Sequence, residues 1–322
     1  MKRLYRFEWF LLAVTLVLAP LLASMGIHRS SEKSANPMPS VSYHGTATLY
    51  HVVTERTFAG SVTNWLKARA QAFEKSHYGA HLRIEGMSEQ DFFERIANGR
   101  PADGYSFFTG ALYPELFQPL PDMEIADSLF RSGIQQNAYV LPYFFTADVL
   151  VGGEECVLSD GGVFMEPLTA ARLHCVPCKE EEAKSWVLDL YAAANKLAEE
   201  PSFKMQPLDG FTDAVCYLGI SESADEESVR ILREFYRYLI EEESQMTLAS
   251  LGALSVLPNV TIQNDSRFLT LEESFESVLT PDPFLWYLAY DALVSDAEAA
   301  LSDPLYKERF QERFHALFAS ES

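Results

Sequence analysis

The alternation of apolar and polar positions becomes regular after residue 45. "TATLYHVVT" (46–54) is dense in β-branched and aromatic residues and reads as a strand. Residues 61–75 then carry Val62, Trp65, Leu66, Ala72 and Phe73 at helical spacing, which turns one face inward. "HLRIEGM" (81–87) returns to strand character. Residues 88–98 return to helix, with Phe92, Phe93 and Ile96 inward and Gly99 and Pro101 as the stop. "DGYSFFTG" (103–110) reads as a third strand. This β-α-β-α-β order predicts an α/β fold: a parallel sheet with helices on its faces.

"NAYVLPYFFTADVLVGG" (137–153) is longer than one ordinary strand and predicts a segment crossing between two lobes. Farther on, the spacing predicts a helix over 181–199, through Trp186, Leu188, Leu190, Tyr191 and Leu197, and a strand over 214–220. Ser223 to Glu226 fits a capping box that opens a helix running to about 251. Val229, Leu232, Phe235, Tyr236 and Leu239 form its buried stripe.

Length and charge sharpen this picture. A chain of 322 residues with 48% hydrophobic content suits about two lobes. Its formal net charge is -21, although residues 1–33 carry a net +3, so the remainder is strongly acidic. An acidic body repels phosphate backbones, which disfavours nucleic acid as a partner. The basic start precedes an uncharged run from Trp9 to Ile27, long enough for a bilayer. Basic residues ahead of such a run place the body outside the cytoplasm. Residues 1–27 are therefore expected to be a signal peptide or membrane anchor, and 28–44, polar with two prolines, a flexible linker. No cysteine stands near the end of the run to carry a lipid.

"REFYRYLIEEESQMTLASLGALSVLPN" (233–259) resembles the late signature of family 1 extracellular solute-binding proteins, the receptors of bacterial ABC importers. The matching positions are Phe235, Tyr238, Leu239, Glu242, Gln245, Gly252, Ser255 and Val256. "WLKARAQAFEKSHYGAHLRIEG" and "NGRPADGYSFFTG" resemble the family's first helix and its early strands, with Asp103 displaced by one residue. "PDPFLWYLAYDALVSDAEAAL" resembles its closing helices. The resemblance implies a two-lobed, hinged fold of the periplasmic-binding type II class that closes on a solute. The stretch before the late helix is short, which implies a reduced second lobe. The implied division puts 45–140 and 251–322 in lobe one and 141–250 in lobe two with the hinge crossovers. It further implies a monomer that serves an importer permease and holds no cofactor or metal.

In such a fold ligands sit beyond the carboxyl ends of strands. That rule selects Glu55, Arg56 and Thr57 after the first strand, Phe108 and Thr109 after the third, and Tyr143 and Phe144 in the crossover. Arg56 suits an anion or a pair of hydroxyls. Asp209, Thr212 and Asp213, in "DGFTD", would accept hydroxyls, and by resemblance Trp286 would stack on a sugar ring. The plain alternatives are loop for the polar residues and core for the aromatic ones.

"LHCVPCK" (173–179) carries the most motif-like chemistry. Cys175 and Cys178 read as a structural disulfide, or free thiols, outside the cytoplasm. The proline before Cys178, with Lys179 and a helix expected after it, suits a redox turn, but the later cis-proline that faces such a pair is missing and His174 stands where tryptophan is usual. With His174 the two cysteines offer only three zinc ligands. No G-x-S-x-G, H-E-x-x-H or phosphate-binding glycine loop occurs, so an enzyme is not expected. The leading expectation is capture of a sugar or oligosaccharide. The competing ones are an anchored interaction protein with a degenerate pocket and a thiol-disulfide oxidoreductase.

Overall fold

The computed structural model describes residues 43–318 except 55, 57, 121–122, 124–137, 154–157, 159–161, 209, 259, 263–265 and 275–277. The expected signal or anchor, 1–27, and most of the expected linker, together with Glu55, Thr57 and Asp209, lie outside the described residues. No helix among the described residues is long and apolar enough to cross a membrane.

In chain order the elements are β1 (Gly45–Val52), α1 (Val62–Ser76), β2 (Ala80–Met87), α2 (Glu89–Ala97), β3 (Gly104–Phe108), β4 (Val140–Phe145), β5 (Asp148–Gly152) and β6 (Val163–Phe164). There follow α3 (Pro167–Arg172), β7 (Ser185–Asp189), α4 (Leu190–Glu199), β8 (Lys204–Pro207), β9 (Val215–Ile220), α5 (Glu226–Leu239) and α6 (Glu242–Met246). The chain closes with α7 (Ser266–Ser274), α8 (Pro283–Ala300) and α9 (Pro304–Ala316).

The strands form two sheets, ordered β2-β1-β3-β9-β4 and β6-β7-β5-β8. In the first, β1 pairs parallel with β2 and β3, while β9 runs antiparallel between β3 and β4. The 137–153 segment does cross: β4 ends in the first sheet, Thr146 and Ala147 turn, and β5 enters the second. Ser61 and Ser88 cap α1 and α2 through their hydroxyls, which fixes where each begins.

Three expectations change. The expected lobe boundaries move, because β9 is inserted in the first sheet and α5 packs on β1, so 215–239 belong to lobe one. Conversely α8 and α9 pack on α3, through Ala171, Trp286, Leu293, Phe310 and Phe314, while Phe284 at the start of α8 packs on Phe107 and Phe117 of lobe one, so α8 spans the two. The helix expected over 181–199 begins only at Leu190, since Ser185–Asp189 pairs with β5 and buries Ser185 in the sheet. The helix expected from 223 to 251 is capped by Asp225 rather than Ser223, whose hydroxyl is taken by Ser221. It also breaks at Ile240 before α6.

The cysteine stretch is the exit of a helix. His174 adopts a left-handed conformation (φ 56°), with His174 N donating to Ala171 O and Cys175 N to Ala170 O, the two bonds of a Schellman stop. No disulfide joins Cys175 to Cys178, and Cys178 is a free thiol, one of the two states read for the pair from the sequence. Their backbones are tied to different elements, Cys175 to α3 and Cys178 to Val163 O of β6. The chain after Cys178 enters a single 3-10 turn and then β7, so no α-helix starts behind the pair to activate a thiolate. Cys216 is also a free thiol; it is fully buried, and burial pushes it up to about 12, which keeps it protonated.

Candidate functional site

Three segments join the sheets or run between them, and they are stitched together. Thr146 N donates to Ala214 O at 3.0 Å, and the Thr212 hydroxyl donates to Thr146 O at 2.6 Å. Phe145 and Leu254 exchange both backbone bonds, at 3.1 and 2.8 Å. Short paired crossings of this kind are where a two-lobed molecule bends.

Beside them lies a cavity of about 500 Å³. Its walls come from the loop after β1, the start of β5, the first turns of α3 and α4, the return segment 211–213, and α8. The carboxyl ends of β1, β6 and β7 all point to it, as expected for ligand sites in this class of sheet. Arg56 reaches in from the lobe-one side. Its Nη2 donates to Asp213 Oδ1 at 2.6 Å. Burial alone would lower the Arg56 guanidinium, but Asp213 and Asp148 outweigh it and hold the group above its ordinary value.

Asp148 opens β5 directly opposite Asp189 at the end of β7. Asp189 also caps α4, accepting from Ala192 N at 2.7 Å. Burial, with the charge of Asp213 added, raises the Asp148 carboxyl, while Arg56 and Arg172 pull it down. The Arg172 guanidinium lies 4.4 Å from the Phe211 ring centroid. Tyr290, 43% exposed, supplies an open aromatic face. Charged acceptors, two guanidiniums and aromatic rings can together bind a polar solute by hydrogen bonding and stacking. No serine, cysteine or histidine is among the described residues that line the cavity.

Of the residues singled out from sequence, Arg56, Asp213 and Trp286 meet at this cavity. Trp286 is only 2% exposed, wedged between Phe211 and Tyr290. Gly110, with φ +83°, makes room for it, since a Cβ there would stand 2.6 Å from the indole. Trp286 therefore forms wall and offers no open face for ring stacking. Phe108, Tyr143 and Phe144 are core and not site residues: each is at most 2% exposed and packed within the aromatic cluster around Trp65 and Phe58. Thr212 is buried and committed to the hinge, and Thr109 donates to Val215 O at 3.3 Å. Neither lines the cavity.

Asp148, Asp189 and Tyr290 escaped the sequence reading. For Asp148 the signal was present, a lone acid inside the apolar crossing segment. Asp189 stays hidden because the spacing of its strand predicts helix.

No family model and no curated protein matches the chain. Solved structures do. The sugar-binding protein MalE of Xanthomonas citri superposes with a TM-score of 0.60 at 12% identity, over 86% of this chain and all of that one. An extracellular solute-binding protein of Staphylococcus aureus in complex with maltose gives 0.59 at 9% identity, over 85% and 97%. The fold is that of a two-lobed solute-binding protein. A Trichodesmium protein in complex with iron and citrate shares it too, at 0.57 and 13% identity, over 80% of this chain and 99% of that one. The solute-binding fold by itself leaves the class of solute open, and the lining must supply it.

Proposed function

We propose that the chain is an extracytoplasmic solute-binding protein that captures a small polar solute and delivers it to an ABC importer. One observation carries the reading: the cavity lies beside the stitched crossings and is lined from both lobe one, through Arg56, and lobe two, through Asp148 and Asp189. A solute there touches both lobes and so favours their closure, by its greater affinity for the closed state. The protein acts as a monomer and does no covalent chemistry. Residues 1–27 lead it through, or hold it at, the membrane, and 28–44 act as a tether.

A sugar or oligosaccharide fits the lining, because carboxylates and Arg56 engage hydroxyls while Tyr290 covers an apolar ring face. Several solute-binding proteins of this fold are described with sugars bound, among them those from Staphylococcus aureus and Bifidobacterium longum. Thermal-shift screening of the full chain against sugars, amino acids and oligopeptides tests the proposal. One class should raise the melting temperature in proportion to the logarithm of its concentration. No shift with any class would contradict it.

A further inference from the structure

Different lobes hold the two halves of α8. At its foot Phe284 lies 6.4 Å from the Phe107 ring and 5.6 Å from that of Phe117, both in lobe one. Farther along, Leu293 and Ala297 pack with Ala171, Phe310 and Phe314 of lobe two. Trp286 stands where the helix passes from one lobe to the other. Its ring is 6.0 Å from Phe211 on the returning crossing and 5.9 Å from Tyr290, one helical turn on. Its seat is Gly110, just past the end of β3. A Cβ there would lie 2.6 Å from the indole Cδ1 and 3.3 Å from Nε1, so bare backbone of lobe one meets the indole directly. Phe107 and Gly110 therefore make two neighbouring contacts with Phe284 and Trp286, and these fix the foot of α8 against lobe one. The row of α8 that lines the cavity is Trp286, Tyr290, Val294 and Glu298, spaced four residues apart on one face. Packed interiors transmit small displacements, so a shift at Trp286 passes to Tyr290.

We propose that Trp286 is a positioning residue for the solute site: seated on Gly110, it sets how far α8 stands from lobe one and so places Tyr290 over the cavity. This rests on the solute-binding reading and deepens it by naming what holds the exposed aromatic ring of the site. At 2% exposure Trp286 has no open face for a solute, so its part is played through Tyr290, which is 43% exposed. The seat depends on size. The smallest residue lies under the largest, and the left-handed backbone of Gly110 (φ 83°) is one that glycine adopts without strain.

A reciprocal size exchange in the full chain tests the inference. Gly110→Ala puts a methyl where the indole lies, Trp286→Phe vacates part of that space, and the double variant trades one for the other. Each is read by titration calorimetry with maltose and by hydrogen exchange across 284–290 in the free protein. Each single variant should weaken maltose binding by roughly fivefold or more, the usual size for a misplaced aromatic contact, and should speed that exchange. The double variant should recover most of both. Alanine at a positive φ costs stability in every variant that carries it, so affinity and local exchange decide, and melting temperature does not. In a Tyr290→Ala background, Gly110→Ala should cost no further affinity, because the seat acts through that ring. Single variants that melt earlier yet keep their affinity assign Trp286 to core packing alone and overturn the inference. A double variant worse than either single one also overturns it, since the two residues then act independently. If the wild-type chain binds no maltose, that result counts against the sugar reading, and exchange still decides the seat: equal exchange across 284–290 in all four proteins overturns it.

Discussion

The Thr212 hydroxyl donates to the Thr146 carbonyl at 2.6 Å and at the same time accepts from Ala214 N at 3.0 Å. One side chain thus ties the outgoing crossing to the returning one at the bend between the sheets. Thr212→Val keeps the shape but strands a buried carbonyl and a buried N–H. A loss of about 1–3 kcal/mol is expected in denaturant unfolding, and Thr212→Ser should recover most of it. Equal stability of the valine and serine variants would show that the bonds matter little.

Arg56 and Asp213 form an ion pair at the cavity. The side chains are 31% and 16% exposed, so the pair is neither a surface bridge nor a fully buried one. Arg56→Met would leave Asp213 and Asp148 facing each other without their shared cation. Unfolding should become easier by about 1–3 kcal/mol, between the values usual for exposed and buried pairs. Asp213→Asn in the same background should restore part of the loss. If the double variant is no better than the single one, repulsion between the two acids is not the cause.

His51 gives the protein an acid-sensitive point in its core. It is 2% exposed, with Nδ1 2.8 Å from Ser106 Oγ, and burial lowers its pKa from 6.5 to about 4. Between those values the unfolded chain binds a proton that the folded chain refuses. Stability from this residue is therefore complete above pH 6.5 and lost as pH falls toward 4, by up to roughly 3 kcal/mol. His51→Gln should flatten the stability profile in that window, measured by urea unfolding at a series of pH values. An unchanged slope would assign the acid limb to other groups.

Much of the first sheet was legible because its signals are local. The β1–α1–β2–α2–β3 run has clear periodicity and hydroxyl caps at Ser61 and Ser88. The crossing segment betrayed itself by length alone. Gln245, noted from sequence, proves to be a buried brace: its Nε2 donates to Tyr143 O and Leu239 O, and its Oε1 accepts from Ser255 Oγ and Val256 N. What stayed hidden depends on tertiary pairing. Asp189 ends β7 and caps α4, so strand and helix follow one another with no turn residue between them. The facing of Asp148 and Asp189 is a matter of register, which no single segment records. The position of α8 and α9 against α3 was likewise unreadable, since α8 is apolar around most of its circumference.

Small-angle X-ray scattering of the full chain, free and saturated with whichever solute stabilises it in the thermal screen, tests the central claim most directly. Closure of two lobes about the crossings at Phe145–Asp148, Asp213–Val215 and Leu254 predicts a smaller radius of gyration in the bound state. The change should follow the same saturation curve as binding. A solute that binds at saturation yet leaves the scattering profile unchanged would contradict it.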